Sequence, residues 1–112
     1  MGTLFIFEGM RVFSWSTLRD FSVKHADAAS ETRVWYGIIR RGSFKSPHEI
    51  KTKVSSSADP IGDGVTIFNI KGNDYRLIVD IRYQAQIVFI LWIGTHAEYD
   101  RLSKEDIIKM KA

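Results

Sequence analysis

The second half of the chain alternates apolar and polar residues with a period of two. Three runs rich in β-branched and aromatic residues, Val65–Ile70, Tyr75–Tyr83 and Ile87–Ile93, are separated by the short polar segments Lys71–Asp74 and Gln84–Gln86. Strand-like runs joined by short turns predict an antiparallel meander of three strands.

Alternation gives the middle run two different faces. The apolar face carries Tyr75, Leu77, Val79 and Ile81, and the mixed face carries Arg76, Ile78, Asp80 and Arg82. We expect the helices of the chain to pack on the apolar face, because it is the only surface large enough to cover them, and the mixed face to stay open.

The first half of the chain changes to a helical period after a short predicted strand at Arg11–Phe13. The candidate N-caps are Ser14 or Ser16 for a first helix and Asp27 or Ser30 for a second, and Gly42 is the predicted C′ residue. The apolar stripes are Leu18, Phe21 and His25 in the first helix and Val34, Trp35, Ile38 and Ile39 in the second. Residues 43–64, rich in Ser, Pro and Gly, predict a loop with room for one short strand.

The C-terminal end changes from strand to helix. Thr95 and Glu98 have the spacing of a capping box, and Ser103 is a second N-cap candidate ahead of Ile107. The predicted fold class is therefore α+β, with two N-terminal helices packed on a mainly antiparallel β-sheet and a short C-terminal helix. We expect a single domain over residues 1–112, with residues 1–9 as an N-terminal extension.

Composition narrows the possible functions. A chain of 112 residues without cysteine fits one domain and excludes thiolate zinc sites and a cysteine nucleophile. The longest apolar runs, 4–7 and 87–94, fall short of the roughly 18–20 residues of a membrane span, and no secretory signal is evident, so we expect a cytoplasmic protein without a membrane partner. Since no metal-binding or cofactor-binding motif is present, we expect neither a metal nor a cofactor.

Basic charge is concentrated in the first half of the chain. The segment Met10–Lys53 carries nine basic residues against four acidic ones, whereas the whole chain has a net charge of +3. This bias favours an anionic partner, such as a phosphate backbone or an acidic protein. The same charges also fit the solvated faces of two helices.

Two groups of residues are candidates for chemistry. If Thr95 caps a helix, His96, Tyr99 and Asp100 stand at i, i+3 and i+4 on one face, where a carboxylate can orient an imidazole for proton transfer. A purely structural role at a helix start is the alternative. On the mixed sheet face, the Arg76 guanidinium can either hold a phosphate or pair with Asp80. Asn73, in the turn before it, is explained by a left-handed backbone.

Two motifs, taken in order, resemble the HigB toxin family of bacterial type II toxin–antitoxin systems. The segment Phe68–Ile78 has the form FNIxGNxYRL, and further along Thr95–Asp100 has the form THxEYD. Upstream landmarks in the family's order are Met10–Phe13, Trp35, Phe44-Lys45, Ile50-Lys51 and Ala58-Asp59. Either motif alone is weak, but both in order are specific, and the resemblance covers residues 10–102.

The resemblance implies a RelE/ParE-like fold and an endoribonuclease that cuts messenger RNA, in many relatives on the ribosome. It also implies a HigA-like antitoxin with a helix-turn-helix domain. The toxin would be associated with operator DNA only through this antitoxin. The polar positions of the family fall on Asn73, Arg76, His96, Tyr99 and Asp100. A catalytic set rich in Lys and Arg, known from a familiar relative, is not reproduced position by position.

These residues suggest RNA cleavage without a metal, with the 2′-OH as nucleophile. We assign His96 as base or acid, Arg76 as phosphate clamp, Tyr99 as a stacking or proton-relay residue, and Asp100 as the group that orients His96. RNA contacts are expected from Asn73, Lys71, Arg82, Arg40, Arg41, Lys45, Lys51 and Lys53. The alternatives are a ParE-like gyrase poison of the same fold and a non-enzymatic RNA- or protein-binding module.

Overall fold

The structure, a computed structural model, describes residues 9–111. Its helices are α1 (Trp15–Lys24), α2 (Ala29–Arg41), α3 (Pro47–Lys53), α4 (His96–Asp100) and α5 (Lys104–Lys109), and a 3₁₀ turn at Ala26–Ala28 precedes α2. Its strands are β1 (Arg11–Phe13), β2 (Asp59–Gly62), β3 (Val65–Ile70), β4 (Tyr75–Arg82) and β5 (Ile87–Thr95). The expected N-terminal extension lies, except for Gly9, outside the described residues. Within these residues, no helix has the length and apolarity needed to cross a membrane.

The five strands form one sheet in the order β1-β5-β4-β3-β2. Strands β3, β4 and β5 form the predicted antiparallel meander, and β2 adds an antiparallel edge strand beside β3. At the other edge, β1 pairs in parallel with β5. The predicted class, helices on a mainly antiparallel sheet, is confirmed.

Helices cover the apolar face of β4, as the alternation predicts. The four apolar residues of that face, Tyr75, Leu77, Val79 and Ile81, belong to one buried cluster with residues of α1, α2 and α3. The helices contribute Leu18, Trp35, Ile39 and Ile50, each at most 5% exposed. Val34 was wrongly placed in this stripe. It is 58% exposed, whereas the buried residues of α2 are Thr32, Trp35 and Ile39.

The mixed face of the sheet is not open, contrary to the sequence prediction. Ile107 of α5 is 5% exposed and packs with Val65, Ile67 and Ile78 on that face. These strand side chains would otherwise meet water, so covering them with even a six-residue helix is favourable. The C-terminal helix therefore forms a third layer of the fold.

A helix, α3, lies in the stretch predicted as loop, so that part of the prediction was wrong. The Ser46 hydroxyl accepts a hydrogen bond from the Glu49 amide at 3.2 Å, and Pro47 occupies the first helical position. Proline is favoured there because its missing N–H has no partner in a helix anyway. The single short strand expected in the same stretch is β2.

Helix α2 ends before Gly42, as predicted, but the reason for the glycine differs. Its backbone is extended, with φ −93° and ψ 169°, and not left-handed. A Cβ at Gly42 would lie 2.3 Å from Cζ of Phe44, so glycine is needed here for close packing against a buried ring.

Candidate active site

The turn at residues 71–74, here called the β3–β4 turn, carries the first candidate residues. Lys71 and Gly72 have left-handed backbones with φ of 52° and 62°, and the Asp74 amide donates to the Lys71 carbonyl at 3.1 Å. The left-handed positions of the turn are thus Lys71 and Gly72, and the backbone of Asn73 is not left-handed, contrary to the sequence prediction. Its side chain instead accepts a hydrogen bond from Arg76.

Arg76 is held by this turn and not by a carboxylate. Its Nη2 donates to Oδ1 of Asn73 at 2.6 Å, and its Nη1 donates to the carbonyls of Asn73 and Tyr75, both at 3.2 Å. Asp80, the predicted alternative partner, pairs with Arg82 at 2.7 Å. Among the described residues Arg76 forms no ion pair, so its charge can serve an anionic ligand.

A reciprocal capping box fixes the junction between β5 and α4. The hydroxyl of Thr95 accepts from the Glu98 amide at 3.1 Å, and the Glu98 carboxylate accepts from the Thr95 amide at 2.9 Å. The hydrogen bond from the Thr95 backbone lowers the pKa of Glu98, which keeps this carboxylate charged at the helix N-terminus. Beside it, the His96 amide donates to the carbonyl of Asp74 at 2.9 Å, so α4 is bonded to the β3–β4 turn.

Helix α4 brings His96 and Asp100 together, as their spacing predicts. Nδ1 of His96 lies 2.9 Å from Oδ2 of Asp100, and the two side chains are 40% and 59% exposed. A carboxylate at Nδ1 orients the ring and leaves Nε2 to exchange a proton with a substrate.

Tyr99, on the same helix, contacts Arg76. The Arg76 Cζ atom lies 5.8 Å from the centre of the Tyr99 ring, and the Trp92 ring lies 6.5 Å from it. Burial raises the pKa of Tyr99; the charges of Asp59 and Asp100 add to this rise and that of Arg76 opposes it. The phenol is therefore protonated at neutral pH and has a proton to donate to a ligand.

These contacts place five of the predicted residues at one corner of the molecule, where the β3–β4 turn meets the start of α4. The five are Asn73, Arg76, His96, Tyr99 and Asp100. A fixed guanidinium, an oriented imidazole and a protonated phenol can together bind a phosphate and move protons beside it. In the part of the chain that the structure describes, no group of three or more His, Asp or Glu side chains is placed to hold a metal ion.

The other residues predicted to contact RNA either form ion pairs within the protein or lie away from this corner. Lys71 lies in the β3–β4 turn, but its Nζ pairs with Asp27 at 2.8 Å and with Asp74 at 4.0 Å. Arg82 is six residues from Arg76 along β4, which is about 20 Å at the rise of a strand. Arg40, Arg41, Lys45, Lys51 and Lys53 lie in or beside α2 and α3, in the helical layer against the opposite sheet face.

Two residues of the corner were not among the predicted site residues. Gly94 pairs with Arg76 across β4 and β5, and a Cβ there would lie 2.4 Å from the Trp92 ring. The indole thus lies over Gly94, beside Tyr99. An irregularity of β5 between Ile90 and Trp92 puts Trp92 and Gly94 on the face of Arg76. Strict alternation from Val88 and Ile90, which pack with the helices, would have placed both residues on the opposite face, so no sequence pattern indicated them.

Comparison with known proteins gives one consistent result. A model of the HigB toxin, described as a RelE-like toxic component of a toxin–antitoxin system, matches residues 28–102. The mRNA interferase toxin HigB of Escherichia coli K12 is 29% identical over 93 residues, which cover 81% of this chain and 88% of that protein. The mRNA interferase HigB of Shigella flexneri gives the same values. The mRNA interferase HigB of Escherichia coli O6:H1 is 24% identical over 96 residues, 85% of this chain and 93% of the relative. Because the family match spans more than half of the sequence and includes the whole corner, this chain belongs to the HigB family of RelE-like toxins.

Proposed function

We propose that this protein is an mRNA interferase, an endoribonuclease toxin that inhibits translation by cutting messenger RNA. The observation that carries the proposal is the half-buried Arg76 guanidinium, fixed by Asn73 and without a carboxylate partner among the described residues. It contacts Tyr99 of α4, the helix that also carries the His96–Asp100 pair. The names of the HigB relatives support the same activity.

The site has the groups needed for attack by the ribose 2′-OH on the adjacent phosphate. His96 takes the 2′-OH proton at Nε2 while Asp100 orients the ring at Nδ1. The O2′–P bond forms as the P–O5′ bond breaks, which gives a 2′,3′-cyclic phosphate and a 5′-OH end. Since the Tyr99 phenol is protonated at neutral pH, it is the group that supplies a proton to O5′.

Arg76 stabilises the additional negative charge of the pentavalent phosphate. Its position is set before substrate binds, because two hydrogen bonds to Asn73 of the β3–β4 turn and one to the carbonyl of Tyr75 hold the guanidinium. A preorganised donor of this kind contributes about 10²–10³-fold, and each positioned proton transfer about 10²–10⁴-fold. These side chains supply the base, the acid and the cation of the reaction, so the chemistry proposed here is independent of metal.

The contributions of the cation and of the two proton transfers account for only part of the rate enhancement, and the orientation of the RNA must supply the rest. Holding the 2′-OH in line with the scissile bond is worth several further powers of ten, and we propose that the ribosome provides it. The exposed basic side chains of α3, Lys51 and Lys53, are candidates for contacts with RNA. The proposed protein partner is a HigA-like antitoxin with a helix-turn-helix domain.

The test is to induce the protein in cells without an antitoxin and to map transcript ends. Arrested translation with new 5′-OH ends in coding regions is the expected result. Purified protein is then given a defined mRNA, with and without ribosomes, and the chemical nature of the new ends is determined. We expect cleavage that requires ribosomes and leaves a 2′,3′-cyclic phosphate on one product and a 5′-OH on the other.

Each part of this test has a result that would contradict the proposed function. Intact transcripts together with DNA damage signalling would indicate a gyrase poison of the same fold. A protein that is harmless when expressed alone would indicate a binding module. New 3′-OH and 5′-phosphate ends, which attack by a water molecule would leave, would contradict the proposed attack by the 2′-OH.

A further inference from the structure

The β3–β4 turn is bonded to both halves of the candidate site. Asn73 and Tyr75, which follows the turn, supply all three acceptors that hold Arg76. The carbonyl of Asp74 accepts from the amide of His96, the first residue of α4. A shift of this turn would therefore displace the guanidinium and the imidazole together.

The other side of the turn is anchored to a single carboxylate. Asp27, in the 3₁₀ turn ahead of α2, accepts from Nζ of Lys71 at 2.8 Å and from the hydroxyl of Tyr75 at 2.6 Å. Because Lys71 begins the turn and Tyr75 follows it, one side chain from the helical layer holds both ends.

The protonation states suit this anchor at neutral pH. Hydrogen bonds from Lys71 and Tyr75 lower the pKa of Asp27, so its carboxylate is charged. The bond to Asp27 raises the pKa of Tyr75 to about 12, so the phenol keeps the proton that it donates. The bond to Asp27 also raises the pKa of Lys71, which stays cationic.

The turn needs such an anchor because of its backbone. Lys71 has φ 52°, in the left-handed region that residues other than Gly, Asn and Asp rarely adopt. A backbone of this kind persists only where its surroundings fix it. The ring of Tyr75 is fixed as well, because it packs against Phe21 and His25, whose stacked rings have centres 5.3 Å and 5.4 Å from it.

We propose that Asp27 is a positioning residue for RNA cleavage, which acts through Lys71 and Tyr75 on the placement of Arg76 and His96. The proposal gives Lys71 a role within the protein, in place of the RNA contact predicted from sequence. Its kinetic test rests on the function proposed above, and its structural test does not.

The kinetic test compares Asp27→Ala with the parent protein in single-turnover cleavage of a ribosome-bound mRNA. Because misplacing catalytic groups by about 1 Å costs on the order of 10²-fold, we expect the maximal rate constant to fall by about 10- to 100-fold. The protein concentration for half-maximal rate should change by less than about twofold, since the proposal gives Asp27 a part in positioning and none in RNA binding. Asp27→Asn, which keeps an acceptor for Tyr75 but loses the charge, should retain an intermediate rate.

Asp20→Ala is the matched control. It removes an exposed aspartate of α1 whose ion pair with Arg19, at 3.5 Å, lies at the surface, and it changes the net charge equally. Its rate should equal that of the parent. A parental rate constant for Asp27→Ala, or an equal loss in both variants, would overturn the proposal.

The structural test is amide hydrogen exchange, which needs no RNA. In Asp27→Ala the amides of His96 and Asp74 should exchange at least about tenfold faster, while that of Val88, in the middle of the sheet, keeps its parental rate. Unchanged exchange at His96, or equal acceleration at all three positions, would overturn the positioning role. If the parent protein cuts no mRNA, the proposed function fails, and this exchange pattern alone decides whether Asp27 anchors the turn.

Discussion

The covering of the mixed sheet face by α5 predicts a large difference between two adjacent isoleucines. Ile107 is 5% exposed against Val65, Ile67 and Ile78, whereas Ile108 is 55% exposed. We consider the variants Ile107→Ala and Ile108→Ala. Both remove the same three carbon atoms from the same helix and make the same small gain in helix propensity, so the difference between them isolates burial.

The expected loss in the free energy of unfolding follows from the burial of Ile107. Removing three buried carbons at about 0.8 kcal/mol each costs about 2.4 kcal/mol, and the remaining cavity adds to this. The addition is small here, because a helix of only six residues can move into the space. We expect Ile107→Ala to lower the free energy of unfolding by about 2–3 kcal/mol, and Ile108→Ala by less than about 0.5 kcal/mol.

The assay is urea unfolding followed by tryptophan fluorescence. The midpoint should fall clearly for Ile107→Ala and stay at the parental value for Ile108→Ala, with the same dependence on urea in all three proteins. Equal midpoints for the two variants, or a loss below about 1 kcal/mol for Ile107→Ala, would refute the packing of α5 on this face.

Three further predictions concern helix starts and the site. Ser46→Ala removes the N-cap of α3 and should cost about 1 kcal/mol in urea unfolding; no loss would contradict the cap. The folded-state pKa of Glu98 lies below its unfolded value, so its stabilising effect is present above the unfolded pKa and is lost as pH falls. Glu98→Gln should therefore reduce the drop in Tm between about pH 5 and about pH 3, and an unchanged drop would contradict this. Tyr99→Phe keeps the ring but removes the proton donor, so mRNA cleavage should fall by about 10²-fold or more at unchanged mRNA binding; parental cleavage would exclude Tyr99 as the acid.

Strand positions could be predicted closely from the sequence, and helix positions less so. The period of two gave β3 without error and β4 and β5 to within two residues, because the polar turns between them cannot continue a strand. Helix α3 was missed since Ser46 and Pro47 suggested a loop, although Ser46 and Glu49 have capping-box spacing. Burial by α5 was missed because only tertiary contacts assign a six-residue helix to one sheet face.

In the candidate site, a contact within one helix could be predicted from the sequence, whereas contacts that depend on the tertiary structure could not. Local spacing on α4 was enough to predict that His96 and Asp100 meet, and the structure places them 2.9 Å apart. The partner of Arg76 could not be predicted, because the choice between Asp80 and the turn depends on competition: Arg82 lies nearer to Asp80 along the strand and occupies it. The anchor at Asp27 joins residues far apart in sequence, and no local pattern indicates such a contact.

Arg76 and His96 are expected to act on the same scissile phosphate, and the most direct test is a double-mutant cycle on the cleavage rate at one mapped mRNA site. Arg76→Ala and His96→Ala should each lower the rate by about 10²-fold or more. The double variant should lose less than the product of the two single losses, because both residues stabilise one transition state. A single variant that cuts at the parental rate, or two losses that multiply in full, would contradict their joint action.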